Sequence, residues 1–418
     1  MKNKLLIAGL SSLALLASTP PAHAIAPETE LLLQLLQAKG VITADDASQF
    51  KKELTSLTDE KAEGEAPEHY HSIEGLSERV HKLEEAREEV AEGAAGRIQF
   101  GGRVEVEAGY GKLDSERPDE DSESSEVHLA KAELDVDAVL NQYISGHLAF
   151  LWEDEGEEPR VDIDEGIIAL NGGDKMPLYC RAGKMVIPFG RYESHFITDP
   201  TTLTLGETNV GAIVVGYTND LVDLSFGLFN GEVNARGDSG HDHADNYVAS
   251  AVLTLPTDAA EIMAGASYTS NLAASKTLRD LRDDPATSAE VDRYVGAYSL
   301  FTEITFMERY NVIGEYVAAV KDFAIGDFDF NIPGSYTDNL KPSAWNVELA
   351  AKLFPKLEAA LRIGGTNDFG DEELEQVYGA ALLYNLFDST SLTLEYLNGE
   401  LQNKDDVNSA TVQLAVEF

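Results

Sequence analysis

The residues able to do chemistry fall in two places. Arg103, Lys131, Arg181 and Arg362 recur among Glu105, Glu107, Glu133, Asp135, Glu348, Lys352, Glu358 and Glu395, each at a position that alternates with apolar residues. Successive side chains of a strand point to opposite faces, so this spacing collects charge of both signs on one face. If such strands close around water, bases opposed to acids set up a transverse field that orients charged solutes. The second place is the run from Ile187 to Pro200, which carries Phe189, Tyr192, Phe196 and Ile197 where comparable interstrand stretches carry Asp and Glu. A loop so apolar is poorly placed in water and is expected to fold against an inner wall and narrow a pore. Arg191, Tyr192 and His195 would then face the solute, with Lys184 just upstream. The rival reading tucks the loop into a subunit contact, and the stretch 321–342 shares some of its character through Phe323, Phe328 and Phe330.

Other chemistry is thinly represented. No serine nucleophile elbow, P-loop or zinc helix motif occurs, so neither an enzyme nor a cofactor is expected. His241-Asp242-His243 is a weak metal candidate, as is His69-Tyr70-His71, because two histidines at i and i+2 on a polar loop are more often solvated. The single cysteine, Cys180, has no internal disulfide partner and reads as a small apolar residue on a strand.

The elements that must position the charges are strands. Asn408 to Phe418 places Ala410, Val412, Leu414, Val416 and Phe418 on one face and Thr411, Gln413 and Glu417 on the other. It ends on an aromatic residue, the form in which outer-membrane strands are presented to the barrel assembly machinery. The same beat over segments of about ten residues yields sixteen strands at 97–110, 126–140, 143–152, 160–170, 177–186, 208–217, 221–229, 245–255, 261–270, 291–302, 308–320, 343–353, 356–366, 375–386, 389–398 and 408–418. Short turns alternate with longer, mostly acidic loops, and the even count brings both ends to one rim. A soluble sandwich has no reason to keep that parity, so the fold class is all-β: a transmembrane antiparallel barrel of about 16 strands. Its last strand must pair with Arg97–Tyr110 to leave no open edge.

Upstream, Lys2 and Lys4, the apolar run Leu5–Ala17 and Ala22-His23-Ala24 form a signal peptide over 1–24. A helical hairpin over 25–57, a flexible linker over 58–72 and a short coiled-coil helix over 73–93 follow as a periplasmic segment; its seam of under three heptads needs several chains to be stable and reads as the stalk of a homotrimer, against a frayed amphipathic helix. The formal charge of −43 excludes a nucleic-acid partner, and the acid excess suits outer loops neutralised by divalent ions that bridge lipopolysaccharide.

The run Gly183-Lys184-Met185-Val186-Ile187-Pro188-Phe189-Gly190, with Thr208-Asn209-Val210-Gly211 at the next strand, resembles the LbtU-family siderophore porins. The likeness extends over nearly the whole chain and implies an outer-membrane pore for a ferric siderophore of the polycarboxylate type. The Gly-Lys…Pro-Phe-Gly pattern is shared with phosphate-selective and dicarboxylate porins, so a general or anion-selective diffusion porin is the alternative. An envelope tether acting through the N-terminal helices is the second. With no plug segment evident, movement is expected to be passive.

Overall fold

The computed structural model describes residues 97–115, 121–153, 161–173, 176–231, 233–236, 244–280, 290–324, 327–328, 340–370 and 373–418. The signal peptide, hairpin, linker and coiled coil lie outside the described residues, as do His69, His71, His241 and His243.

Sixteen antiparallel strands close a barrel. They are β1 (Ile98–Asp114), β2 (Ser122–Asn141), β3 (Ile144–Glu153), β4 (Asp162–Asn171), β5 (Leu178–Val186), β6 (Asn209–Thr218), β7 (Val222–Phe229) and β8 (Asn246–Pro256). The circuit continues with β9 (Ala260–Thr269), β10 (Ala297–Phe306), β11 (Tyr310–Ala319), β12 (Ser343–Phe354), β13 (Leu357–Asn367), β14 (Leu374–Phe387), β15 (Thr390–Leu401) and β16 (Asp406–Glu417). Each strand pairs with its neighbour in sequence, and β16 closes on β1 with Val106 opposite Leu414 and Arg103 opposite Glu417. Phe418 seals the seam by exchanging two backbone hydrogen bonds with Gly102, both 3.0 Å.

The alternation read from the sequence sets which face meets lipid. Val104, Val106, Ile213, Val347, Leu361 and Leu414 are exposed on the outside, while Glu105, Glu348 and Glu395 are buried within. Phe100, Tyr143, Phe354, Phe387 and Phe418 lie outward near the short-turn rim, and Tyr110, Tyr247, Tyr316, Tyr378 and Tyr396 toward the long-loop rim. Two such aromatic girdles bracket the apolar band of outer-membrane barrels. The short turns are built from side-chain acceptors: Asn141 Oδ1 takes the amides of Tyr143 and Ile144, and Asn219 Oδ1 those of Leu221 and Val222.

Three strand assignments shift most. The strand expected at 291–302 runs from Ala297 to Phe306, because Glu290–Val291 instead pairs in parallel with Asn234–Ala235, outside the barrel sheet. β1 and β2 also run further toward the long-loop rim than 110 and 126, paired as far as Leu113 and Ser122. In the sequence the alternation slips over 143–170 and 291–302, where a bulge is expected; a bulge interrupts the β3–β4 pairing between Ala149 and Phe150, whereas β10 pairs with both its neighbours without a break.

The barrel does not hold water throughout. Leu272, Ala273, Ala274 and Leu278, from the segment after β9, pack with Val233, Val291, Val295, Phe323, Phe328 and Phe369 into one apolar cluster. That cluster continues inward through Ile187, Phe189 and Leu205, so the long-loop segments rest on the loop after β5.

Candidate functional site

The connection from β5 to β6, residues 187–208, lies inside the barrel and is held along the wall. Its launch is fixed by local stereochemistry. Gly183 has φ +146°, and a Cβ there would run into the Gly166 carbonyl. Ile187 and Phe189 are buried, and Gly190 turns the chain at φ 77° beneath the Tyr192 ring. The return begins at a short helix, α1 (Thr201–Gly206), where Thr201 Oγ1 donates to the Trp345 carbonyl at 2.9 Å.

Between these points three buried carboxylates of the wall collect the loop. On β11, Glu315 accepts the amides of Arg191 and Tyr192 at 2.9 and 3.0 Å, with Thr202 Oγ1 at 3.1 Å and Ser299 Oγ at 2.9 Å. On β12, Glu348 accepts Ser194 Oγ at 2.9 Å and the His195 amide at 2.8 Å, and Arg362 Nε of β13 donates to it at 2.9 Å. On β15, Glu395 accepts the amides of Ile197 and Thr198 at 2.7 and 3.1 Å and Thr198 Oγ1 at 2.6 Å. A buried carboxylate is tolerable only when its lone pairs are filled, and hydrogen bonds to a charged group contribute about 1.5–3 kcal/mol each. The loop amides, unable to form a ladder of their own, fill them.

Side-chain clamps add to this. His195 sits between Glu358 at 2.8 Å on Nδ1 and Asn311 at 3.0 Å on Nε2. Burial lowers the imidazole pKa, but these two hydrogen bonds and the Glu358 charge outweigh it and raise it above the ordinary value. Arg191 pairs with Glu303 at 3.0 Å and more loosely with Glu193 at 3.7 Å. The Tyr192 hydroxyl is buried, and its pKa is pushed well up by that burial and by the Glu315 and Glu207 charges.

The expected solute-facing residues therefore divide. Arg191 and His195 lie on the loop inside the barrel, partly exposed, but each is already engaged by the wall. Tyr192 does not face solute: its ring packs against Gly190 and Gly206. Arg362 does not either. Its guanidinium lies beneath the loop, 4.2 Å from the Phe196 ring centroid and bonded to Ser194 Oγ, with side-chain exposure of 2 %. Lys184 is on the outer face: it pairs with Gly211, in register with exposed Ile213 and Val215, and its Nζ reaches the Ile163 carbonyl at 2.7 Å. Arg181 points inward over the Tyr179 ring, toward the short-turn end of β5. Arg103 and Lys131 line the opposite wall, paired with Glu105 at 2.6 Å and Glu133 at 2.9 Å.

Glu315, Glu303, Asn311 and the threonines of the loop escaped the sequence reading. Glu315 carried a usable signal, as the lone charge in the otherwise uncharged stretch Asn311–Val320.

Beside Lys131, the wall of β1–β4 holds a cavity of ≈ 410 Å³ lined by Gly101, Glu133, Asp135, Asp137, His147, Ala149, Asp164 and Glu165. The loop looks toward this wall. Asp199 is open to the lumen, and Lys131 is among the charges that act on it. Enclosure raises the Asp199 and Glu207 pKa values, with Arg362 foremost, then Lys131 and Lys276, pulling Asp199 back, and Lys276 pulling Glu207 back.

A closed barrel of sixteen strands with an infolded loop after the fifth defines a porin-like outer-membrane fold. Among solved structures, the outer membrane channel DcaP of Acinetobacter baumannii superposes with TM-score 0.53 at 14% identity, over 77% of this chain and 97% of that one. An anion-selective porin from Comamonas acidovorans gives TM-score 0.52 at 12% identity, over 77% of this chain and 99% of that one. At these identities the likeness is one of fold. In sequence, the chain is 25% identical over 327 residues to a UPF0422 protein of Coxiella burnetii, covering 75% of this chain and 67% of that protein. It is 26% identical over 248 residues to a UPF0422 protein of Legionella pneumophila, covering 54% of this chain and 44% of that protein. The chain thus matches less than half the length of the Legionella relative. No family model matches the chain.

Proposed function

We propose that this chain is an outer-membrane pore through which small hydrophilic solutes diffuse passively, narrowed by the loop from Ile187 to Thr208. The observation that carries this reading is the docking of that loop on Glu315, Glu348 and Glu395, which keeps backbone within the lumen at a fixed place. An envelope tether would have no use for so costly an arrangement inside the barrel.

The finer form of this reading makes the solute a ferric siderophore. Its support is the resemblance carried by Gly183–Gly190, whose residues launch the loop and leave solute contact to others. Homotrimeric assembly, lipopolysaccharide contact at the outer rim and recognition of Phe418 by the assembly machinery belong to the same proposal.

Swelling of liposomes containing the protein, in sugars of graded size, tests the pore. Small sugars should enter and larger ones be excluded, with the size limit rising in Glu348→Gln/Glu395→Gln. Liposomes impermeable to every sugar contradict a diffusion pore. A ferric siderophore that neither blocks the current nor supports growth through this protein removes the finer reading alone.

A further inference from the structure

The passage left beside the docked loop is unevenly charged. On the loop side, the bases that the sequence offered are withdrawn: Arg362 is buried against Glu348, and Arg191 is bound to Glu303. On the facing wall each base is matched by its own acid, Arg103 by Glu105, Lys131 by Glu133 and His147 by Asp137 at 2.9 Å. Asp135 and Asp164 remain on that wall, and Asp199 and Glu207 on the loop, with no ion pair to any of the four among the described residues. Asp164 is held in place by Asn209 Nδ2 at 2.8 Å, at the foot of the loop's return strand. Arg362, Lys131 and Lys276 all act on Asp199 through space, and Lys276 acts on Glu207 from the long-loop side, but none of them forms an ion pair with either carboxylate among the described residues. Arg181 and Lys352 also point inward; Arg181 lies toward the short-turn rim, and Lys352 stands opposite Glu358, the acid that already holds His195.

We infer that the pore is cation-preferring, with Asp135 and Asp164 on the wall and Asp199 and Glu207 on the loop as its charge-selecting residues. The inference rests on the pore reading above and adds the charge class of the solute. Its basis is the field in the lumen rather than a coordinating site: carboxylates on both sides of a narrow water path raise the local cation concentration and repel anions. Cationic and neutral solutes suit such a passage and a ferric polycarboxylate of net negative charge does not, so the inference rests on the pore alone and runs against the siderophore form of the reading where that siderophore is a polycarboxylate.

The test is the reversal potential of the full-length protein in planar bilayers under a KCl gradient. The expected result is a potential of the sign set by K⁺ permeating over Cl⁻. It should shift toward zero in Asp135→Asn/Asp164→Asn/Asp199→Asn and further from zero in Lys131→Gln. Entry of neutral sugars into liposomes should be the same for the triple variant and the wild type, showing that the barrel is intact. A reversal potential at zero or of the Cl⁻ sign overturns the inference while leaving the pore standing, as does a triple variant with unaltered selectivity and normal sugar entry. If the protein conducts nothing and admits no sugar, the pore reading falls and this inference with it.

Discussion

Glu315 shows what the inner wall does at the level of single residues. It is a buried carboxylate whose partners are two backbone amides and one hydroxyl from the loop and the Ser299 hydroxyl of β10, so its charge is balanced mainly by dipoles that the loop brings. Glu315→Gln should weaken both amide contacts and loosen the loop near Arg191, read as added open-channel noise in single-channel records. Arg362→Ala strips Glu348 of its ion-pair partner among the described residues and should destabilise the barrel by about 3–5 kcal/mol, measured from denaturant unfolding in detergent. For His195 the sign follows from its raised pKa. The protonated ring holds Glu358 and Asn311 fully below the ordinary histidine value, and that hold is lost as pH rises through the raised value. Loop noise should therefore increase with pH across that window in the wild type and lose this dependence in His195→Gln.

At the scale of elements, the infolded loop is as much a structural part as any strand. Its launch needs glycine at 183, where φ is +146° and a Cβ would strike β4, so Gly183→Ala should cost about 1–3 kcal/mol and be seen as a lowered melting temperature. The sixteen strands were legible because lipid outside and water inside impose a period of two that no other constraint overrides. The slip at 291–302 occurred where apolar Val291 and Val295 belong to the packed cluster over the barrel mouth, a tertiary demand that local alternation does not record. The loop's entry into the lumen was legible in its aromatic residues, but its attachment was not. Amides of residues 191–198 meet carboxylates more than a hundred positions away, and no local pattern pairs them. For the same reason Arg362 read as a pore-lining charge and is instead the buried support of the loop, and Lys184 lies on the outer face because its register in β5 puts it there.

At the scale of the whole molecule, the barrel uses part of its acidic interior to hold a loop and leaves the remainder facing the water path. The chain's formal charge of −43 is thus not one undifferentiated surplus, since Glu315, Glu348 and Glu395 are buried beneath the loop while Asp135, Asp164 and Asp199 stay with the lumen. Fold likeness to outer-membrane channels reaches 77% of the chain, so function has to be settled on the pore itself. Single-channel conductance in planar bilayers, compared between the wild type and Glu315→Gln/Glu348→Gln/Glu395→Gln, tests the central claim most directly. Discrete open steps in the wild type, and larger ones in the variant whose loop has lost its anchors, are the result expected. A wild type that inserts but never opens, or a folded variant with unchanged step size, would contradict a pore narrowed by its docked loop.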